Sequence, residues 1–173
     1  MNNLLKNNAF KYVFPIGMLI SIFLDGSIFS IFGASLSFHA VPNLSFLWIF
    51  LAMFFINDDS IHYEWWAVLA GIIVDAFYMG FLGVYTFIFP LAIYFSKWIY
   101  KHLPLNVVSA FLIYFIDITM IFSLALLANR LESLTNMSWS FYLVYVLGPT
   151  LAINLVFLII LYIPLQFLFD KLN

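Results

Sequence analysis

Residues 65–100 have the sequence WWAVLAGIIVDAFYMGFLGVYTFIFPLAIYFSKWIY, which is apolar nearly throughout but contains one acid, Asp75. As a single α-helix this stretch would be about 54 Å long at 1.5 Å per residue. The hydrocarbon core of a bilayer is only about 30 Å thick, so the chain must turn inside the stretch. We predict the turn at Gly80 and Gly83, because glycine adopts the backbone conformations that tight turns need. The sequence therefore predicts a helical hairpin with an acid near its tip.

The composition of the whole chain is that of an integral membrane protein. Of its 173 residues, 66% are hydrophobic and 8% are charged, whereas soluble domains contain about 25% charged residues. The apolar runs predict helices rather than barrel strands, because no two-residue alternation persists in them. The absence of cysteine excludes disulfides and thiolate metal sites, and the net charge of −2 argues against a nucleic-acid partner.

We predict an all-α fold that forms one multi-pass transmembrane domain over residues 1–173, with short loops and the lipid bilayer as its surroundings. The six predicted helices lie at about 13–33, 44–56, 65–79, 83–98, 104–128 and 140–169. The first apolar run is too long for the h-region of a signal peptide and contains Asp25, so we predict that it is retained as a membrane helix.

The basic residues predict the orientation in the membrane, because cytoplasmic loops carry an excess of lysine and arginine. If both termini are cytoplasmic, the outside segments contain only Arg130. The inside segments then contain Lys6, Lys11, Lys97, Lys101 and Lys171. We therefore predict that both termini are cytoplasmic.

Three acids lie within predicted helices: Asp25, Asp75 and Asp117. No lysine or arginine lies within these helices to neutralise them, and a charged acid at the bilayer centre costs at least ~2.5–3.5 kcal/mol. We expect each acid to face the interior of the bundle at a similar depth, where it is either protonated or hydrogen-bonded. The candidate hydroxyl partners are Ser27, Tyr78, Tyr85 and Thr119.

These acids have two interpretations. The functional one is a proton or cation path, or a polar ligand site. The structural one, which the sequence favours, is hydrogen bonding between helices, and under it Asp75→Asn would be tolerated. Structural roles are also predicted for Gly71 at a close helix approach, for Gly80 and Gly83 in the turn, and for Asn154 in an interhelical hydrogen bond.

Motifs for catalysis are missing from the sequence. It has neither H-E-x-x-H nor G-x-S-x-G, and no basic cluster that would bind phosphate. The three histidines, His39, His62 and His102, fall in different predicted loops, which argues against a shared metal site. We predict a protein that is not an enzyme and has no cofactor or metal.

The hairpin contains Gly71-x3-Asp75, then Gly80-x2-Gly83, then an aromatic-rich helix that ends at Lys97. In this it resembles the MreD family of bacterial rod shape-determining proteins, and the resemblance in size and helix layout extends over most of the chain. The resemblance implies a non-enzymatic subunit of the cell-elongation machinery in the bacterial cell membrane. It also implies an MreC-like single-span protein as partner, with the MreB filament, a RodA-type glycosyltransferase and the elongation transpeptidase as further partners. It brings no catalytic or cofactor residue.

A second interpretation is the substrate-binding S component of an energy-coupling-factor vitamin transporter, which is also small, six-span and non-enzymatic. Such a subunit needs a ligand pocket that opens to the outside, usually closed by a long outer loop. The predicted outer connections are short, at 34–43, 79–82 and 129–138. No small-x3-small face is evident in the first helix either, so the sequence favours the MreD interpretation.

Overall fold

The computed structural model describes residues 2–33, 39–56, 58, 60–79, 83–133 and 135–172. Within these residues the chain forms six helices, as predicted: α1 (Asn2–Gly33), α2 (Leu44–Phe55), α3 (Tyr63–Val74), α4 (Val84–Tyr100), α5 (Val107–Leu131) and α6 (Trp139–Leu172). A π-helical turn, Asp75–Met79, extends α3, and another, Leu143–Leu147, lies within α6. Among the described residues, three segments are long and apolar enough to cross a membrane: Ala9–Ser30 of α1, α5 and α6.

Helix α2 lies at the centre of the bundle. Ten of its twelve residues are buried, and it contacts the other five helices. Its sequence, LSFLWIFLAMFF, has no charged residue, and a helix that is hydrophobic on all sides is expected to be surrounded by protein or lipid. At 1.5 Å per residue it is about 18 Å long, which is shorter than the hydrocarbon core. The ends of α2 therefore lie inside the protein, where their backbone groups need partners.

The C-terminal end of α2 is closed by Tyr63, the first residue of α3. Its hydroxyl donates to the carbonyl of Ile56 at 2.8 Å and lies 3.3 Å from that of Ala52. The last carbonyls of a helix have no partner within the helix, so this side chain supplies one. Tyr63 is only 1% exposed, and the bond fixes the connection between α2 and α3.

Helices α3 and α4 form the hairpin that the sequence predicts, and they share the most extensive helix contact of the bundle. At the end away from the tip, Lys97 Nζ lies 2.7 Å from Glu64 Oε1. Burial raises the pKa of Glu64, but the hydrogen bond and charge of Lys97 outweigh it, so the pKa lies below its usual value. At the tip, Gly83 has φ +127°, a left-handed conformation that favours glycine. Gly80 lies outside the described residues.

Two helix starts differ from the prediction by three residues or more. Helix α1 begins at Asn2, eleven residues before the predicted start at residue 13. Helix α5 begins at Val107, because the side chain of Asn106 accepts a hydrogen bond from the backbone N–H of Ser109 at 2.8 Å. Asparagine is a strong N-cap, so the helix starts after it rather than at Pro104.

Aromatic contacts place the ends of the chain on one side of the bundle. The ring centroids of Phe14 in α1 and Trp66 in α3 are 5.2 Å apart, and those of Phe169 in α6 and Phe55 in α2 are 6.4 Å apart. The early part of α1 and the end of α6 thus lie near the α2–α3 connection. This arrangement is compatible with termini on the same side of the membrane.

We expect a cysteine introduced at Asn136 to react with an impermeant thiol reagent added to intact cells, and one at Ser60 to react only after permeabilisation. The reason is the distribution of the basic residues: five lie in segments predicted to be inside and one lies in a segment predicted to be outside. Both positions are exposed, and the chain has no cysteine of its own, so all labelling reports the introduced thiol. Labelling in the opposite pattern would overturn the predicted orientation.

Candidate functional site

Asp75 closes the start of α4 from the end of α3. It is fully buried, and its Oδ1 accepts from the backbone N–H of Tyr85 at 2.9 Å. Its Oδ2 accepts from the N–H of Gly83 at 2.9 Å, and from both the N–H and the hydroxyl of Thr86 at 3.0 and 2.8 Å. The first N–H groups of a helix have no partner within the helix, and the positive end of the helix dipole favours a negative group. These donors suit the carboxylate form and explain how an acid is accommodated here without a basic side chain.

Gly71 brings α3 against the backbone of α4 at the same place. A Cβ atom at Gly71 would lie 2.5 Å from the carbonyl oxygen of Tyr85, 2.6 Å from its carbonyl carbon and 2.7 Å from Cα of Thr86. The only side chain that fits here is a hydrogen atom. This close approach puts the N–H groups of Tyr85 and Thr86 within reach of Asp75, one helical turn further along α3.

Asp25 closes the start of α2 in the same way, from the preceding helix α1. Its Oδ1 accepts from the N–H of Leu44 at 2.6 Å, and its Oδ2 accepts from the N–H of Ser45 at 3.0 Å. The N-cap residue of α2, Asn43, makes no side-chain capping bond of its own. In both pairs of helices, α1 with α2 and α3 with α4, an acid on the first helix therefore replaces the usual capping side chain of the second.

Asn154 in the middle of α6 holds the segment that leads into α2. Its Oδ1 accepts from the N–H of Asn43 at 2.8 Å, and its Nδ2 donates to the carbonyls of Val41 and Thr150, both at 2.8 Å. The Thr150 hydroxyl in turn accepts from the N–H of Val41 at 3.1 Å. An amide side chain offers both a donor and an acceptor, so it can pair with an extended backbone as a strand would.

A backbone hydrogen bond near Pro149 also joins α6 to this segment. Proline has no N–H, so the carbonyl of Tyr145, four residues earlier, lacks its usual helical donor. The backbone N–H of His39 donates to this carbonyl at 3.0 Å. Residues 39–43 are thus held against α6 by the carbonyl of Tyr145, the hydroxyl of Thr150 and the side-chain amide of Asn154.

Asp117 on α5 differs from the other two acids because no backbone N–H reaches it. Its Oδ2 lies 2.5 Å from the hydroxyl of Ser96 on α4, and its buried Oδ1 has no partner among the described residues. The Ser96 hydroxyl also donates to the carbonyl of Ala92 at 3.0 Å. A hydroxyl has one hydrogen, so if it goes to Ala92 the short contact must be bridged by a hydrogen of Asp117. Because the buried Oδ1 also has no donor among the described residues to stabilise a negative charge, we expect Asp117 to be a neutral carboxylic acid.

The structure does not join the three acids into one site, since no hydrogen bond links any two of them among the described residues. The predicted hydroxyl partners are wrong. The hydroxyls of Ser27, Tyr78 and Thr119 donate to the carbonyls of Phe23, Ile22 and Phe115. Tyr85 contributes its backbone N–H rather than its hydroxyl. The described residues also contain no group of three or more side chains that could hold a metal ion.

Two glycines of α1 were missed by the sequence analysis. A Cβ atom at Gly17 would collide with the indole ring of Trp48, whose Nε1 donates to the carbonyl of Phe14 at 3.0 Å. A Cβ atom at Gly26 would collide with the phenol of Tyr78. Gly17 and Ser21 form a small-x3-small pattern, so the statement that α1 lacks one is wrong, and this pattern could have indicated the contact.

Comparison with known proteins gives one match. A model of the family described as rod shape-determining protein MreD matches residues 8–172, nearly the whole chain. No curated protein and no solved structure matches the chain. The matched range includes Asp25, Asp75, Asp117 and Asn154.

Proposed function

The chain belongs to the MreD family of rod shape-determining proteins, and from this premise we propose that it is a non-enzymatic, multi-pass subunit of the cell-elongation complex in the bacterial cell membrane. The observation that carries the proposal is the match of the family model over residues 8–172. The all-helical bundle supports it, since three segments among the described residues are suited to crossing a membrane.

The non-enzymatic part of this proposal is supported by the use that the chain makes of its buried acids. Both oxygens of Asp75 accept hydrogen bonds from the start of α4, and those of Asp25 accept hydrogen bonds from the start of α2. Without these acids the first N–H groups of the two helices would lack acceptors, so both acids have a structural role that requires no catalysis.

We further propose that the chain binds an MreC-like single-span protein and, through it or directly, the MreB filament, a RodA-type glycosyltransferase and the elongation transpeptidase. The described residues are almost all helix with short connections, so a partner has to contact membrane-embedded helix faces or these connections. Helix α6 offers such a face, because Val156, Ile159, Ile160, Ile163 and Phe167 are at least half exposed.

Depleting the protein is expected to give rounded or shortened cells with delocalised wall synthesis and unchanged uptake of vitamins. The measurement is cell shape by microscopy together with fluorescent labelling of new peptidoglycan. In parallel, the tagged protein purified from native membranes is expected to bring along a single-span MreC-like protein.

The same experiments distinguish the transporter interpretation. An S component would instead purify with an energising transporter module, and its loss would produce a selective vitamin requirement in cells of normal shape. That combination of results would overturn the proposal.

A further inference from the structure

A cavity of about 220 Å³ lies between α1, the segment that precedes α2, and the adjoining parts of α3, α4 and α5. A water molecule takes up about 30 Å³ in the liquid, so this space is large enough for a small organic group. Five aromatic side chains line the cavity: Phe29, Tyr78, Tyr85, Phe89 and Phe122. Asp25 also lines it, and none of its lining residues is basic.

Asp25 is the one acidic side chain that lines the cavity. Each of its oxygens accepts one backbone N–H, from Leu44 and from Ser45, whereas a carboxylate has about four acceptor positions. The hydroxyl of Ser45 is a further donor to this carboxyl, which leaves about one acceptor position for a ligand. No lysine, arginine or histidine among the described residues pairs with it, because the one ion pair there joins Lys97 and Glu64.

Tyr85 supplies a polar group without a partner. Its side chain is more than nine-tenths buried and lines the cavity, yet its hydroxyl makes no hydrogen bond to any described residue. The hydroxyl is therefore available to form a hydrogen bond with an occupant of the cavity.

The residues that line the cavity favour a positively charged occupant. A carboxylate would repel an anion, whereas a cation is attracted both by Asp25 and by the faces of aromatic rings. Cages of aromatic side chains are a known arrangement for binding quaternary ammonium groups.

We propose that this cavity binds an ammonium group, carried either by a small free amine or by the headgroup of a phospholipid. Asp25 is the counter-ion, the aromatic side chains surround the cation, and the hydroxyl of Tyr85 accepts a hydrogen bond from the ligand or donates one to it. The proposal does not depend on the role in cell shape, because it rests only on the cavity and its lining.

The test compares two probes on the purified full-length chain in phosphatidylglycerol nanodiscs, which contain no amine. Choline and 3,3-dimethylbutan-1-ol have the same shape, but only choline is charged. Saturation-transfer NMR is expected to show choline binding at least about tenfold more tightly, as a cation–π contact with a counter-ion would give. Equal affinity of the two probes, or binding of neither, would overturn the proposal.

Variants locate the binding. Tyr85→Phe removes only the unpaired hydroxyl and is expected to weaken choline binding severalfold. Tyr94→Phe is the matched control, because Tyr94 lies on the same helix but is 66% exposed and does not line the cavity. Asp25→Asn is expected to abolish the preference for choline. Since Asp25 also caps α2, the decisive comparison is the tyrosine pair, and unchanged binding in Tyr85→Phe would contradict the proposal.

A final comparison identifies the source of the ammonium group. In phosphatidylethanolamine nanodiscs the lipid itself carries an amine. If a headgroup occupies the cavity, choline should bind more weakly there than in phosphatidylglycerol. If the natural ligand is a free amine, the two lipids should give the same affinity. The preference for choline over its neutral counterpart is required in either case.

Discussion

Replacing Asp75 by leucine should lower the stability of the protein by about 2–4 kcal/mol, because three backbone N–H groups at the start of α4 would lose their acceptor. Hydrogen bonds between membrane helices average only about 0.6 kcal/mol, but Asp75 accepts four of them and also faces the positive end of a helix. The measurement is the melting temperature in detergent, together with the amount of protein that accumulates in the membrane.

Replacing Asp75 by asparagine should also lower the stability of the protein, by about 1–2 kcal/mol. From the sequence alone this variant was expected to be tolerated. An amide has one oxygen and one NH2 group. Whichever way the amide is turned, its NH2 group would face a backbone N–H, either that of Tyr85 or those of Gly83 and Thr86. The asparagine variant therefore loses acceptors and places donors against each other.

Asp117→Asn is the matched control for this experiment. We expect the Asp117 carboxyl to be neutral, and the amide can donate to the Ser96 hydroxyl in its place, so its melting temperature should stay close to that of the wild type. A proton or cation role for Asp75 predicts a different result for Asp75→Asn. The variant would then be stable and bound to its partner, yet unable to maintain cell shape.

Gly71→Ala should destabilise the protein by about 1–3 kcal/mol, a typical cost for an extra methyl group in a tightly packed place. The new Cβ would lie within 2.7 Å of three atoms of α4, all of them backbone. A change of rotamer cannot relieve such a contact, so α3 and α4 would have to separate. Gly71→Leu should have a larger effect, seen as loss of accumulated protein.

Gly148→Ala provides the comparison for Gly71. A Cβ at Gly148 would meet only the carbonyl oxygen of Leu143, at 3.1 Å, and alanine favours the helix by about 1 kcal/mol. Its stability should therefore change little. Separation of α3 and α4 would also pull Tyr85 and Thr86 away from Asp75, so Gly71→Ala and Asp75→Asn together should cost less than the sum of the two. Additive effects would show that the glycine and the acid act independently.

The sequence predicted the features whose signals are local. Long apolar runs mark the helices, and glycines mark the turn between α3 and α4, so the six-helix layout follows from composition and spacing. The centrality of α2 also had a signal, because its sequence has no polar face.

The partners of the acids were not predictable in this way. The sequence analysis looked for hydroxyl side chains, whereas the donors to Asp25 and Asp75 are backbone N–H groups, which every residue except proline carries. Asn154 pairs with Asn43, 111 residues away, and no local pattern marks such a pair. The start of a helix that lacks its own capping side chain, as at Gly83, is the closest available indication that an acid elsewhere takes that role.

The way in which α2 is held has a consequence for biosynthesis. Its start is secured first by Asp25, which leaves the ribosome before α2, but the segment in front of it is secured by Asn154, which is made more than a hundred residues later. Until the last helix is inserted, the N–H groups of Val41 and Asn43 and the carbonyl of Val41 lack the partners that α6 supplies, so an early nascent chain is incomplete at its centre. Chains that are truncated or stalled before α6 should therefore be degraded by membrane proteases. Only chains translated through α6 should accumulate.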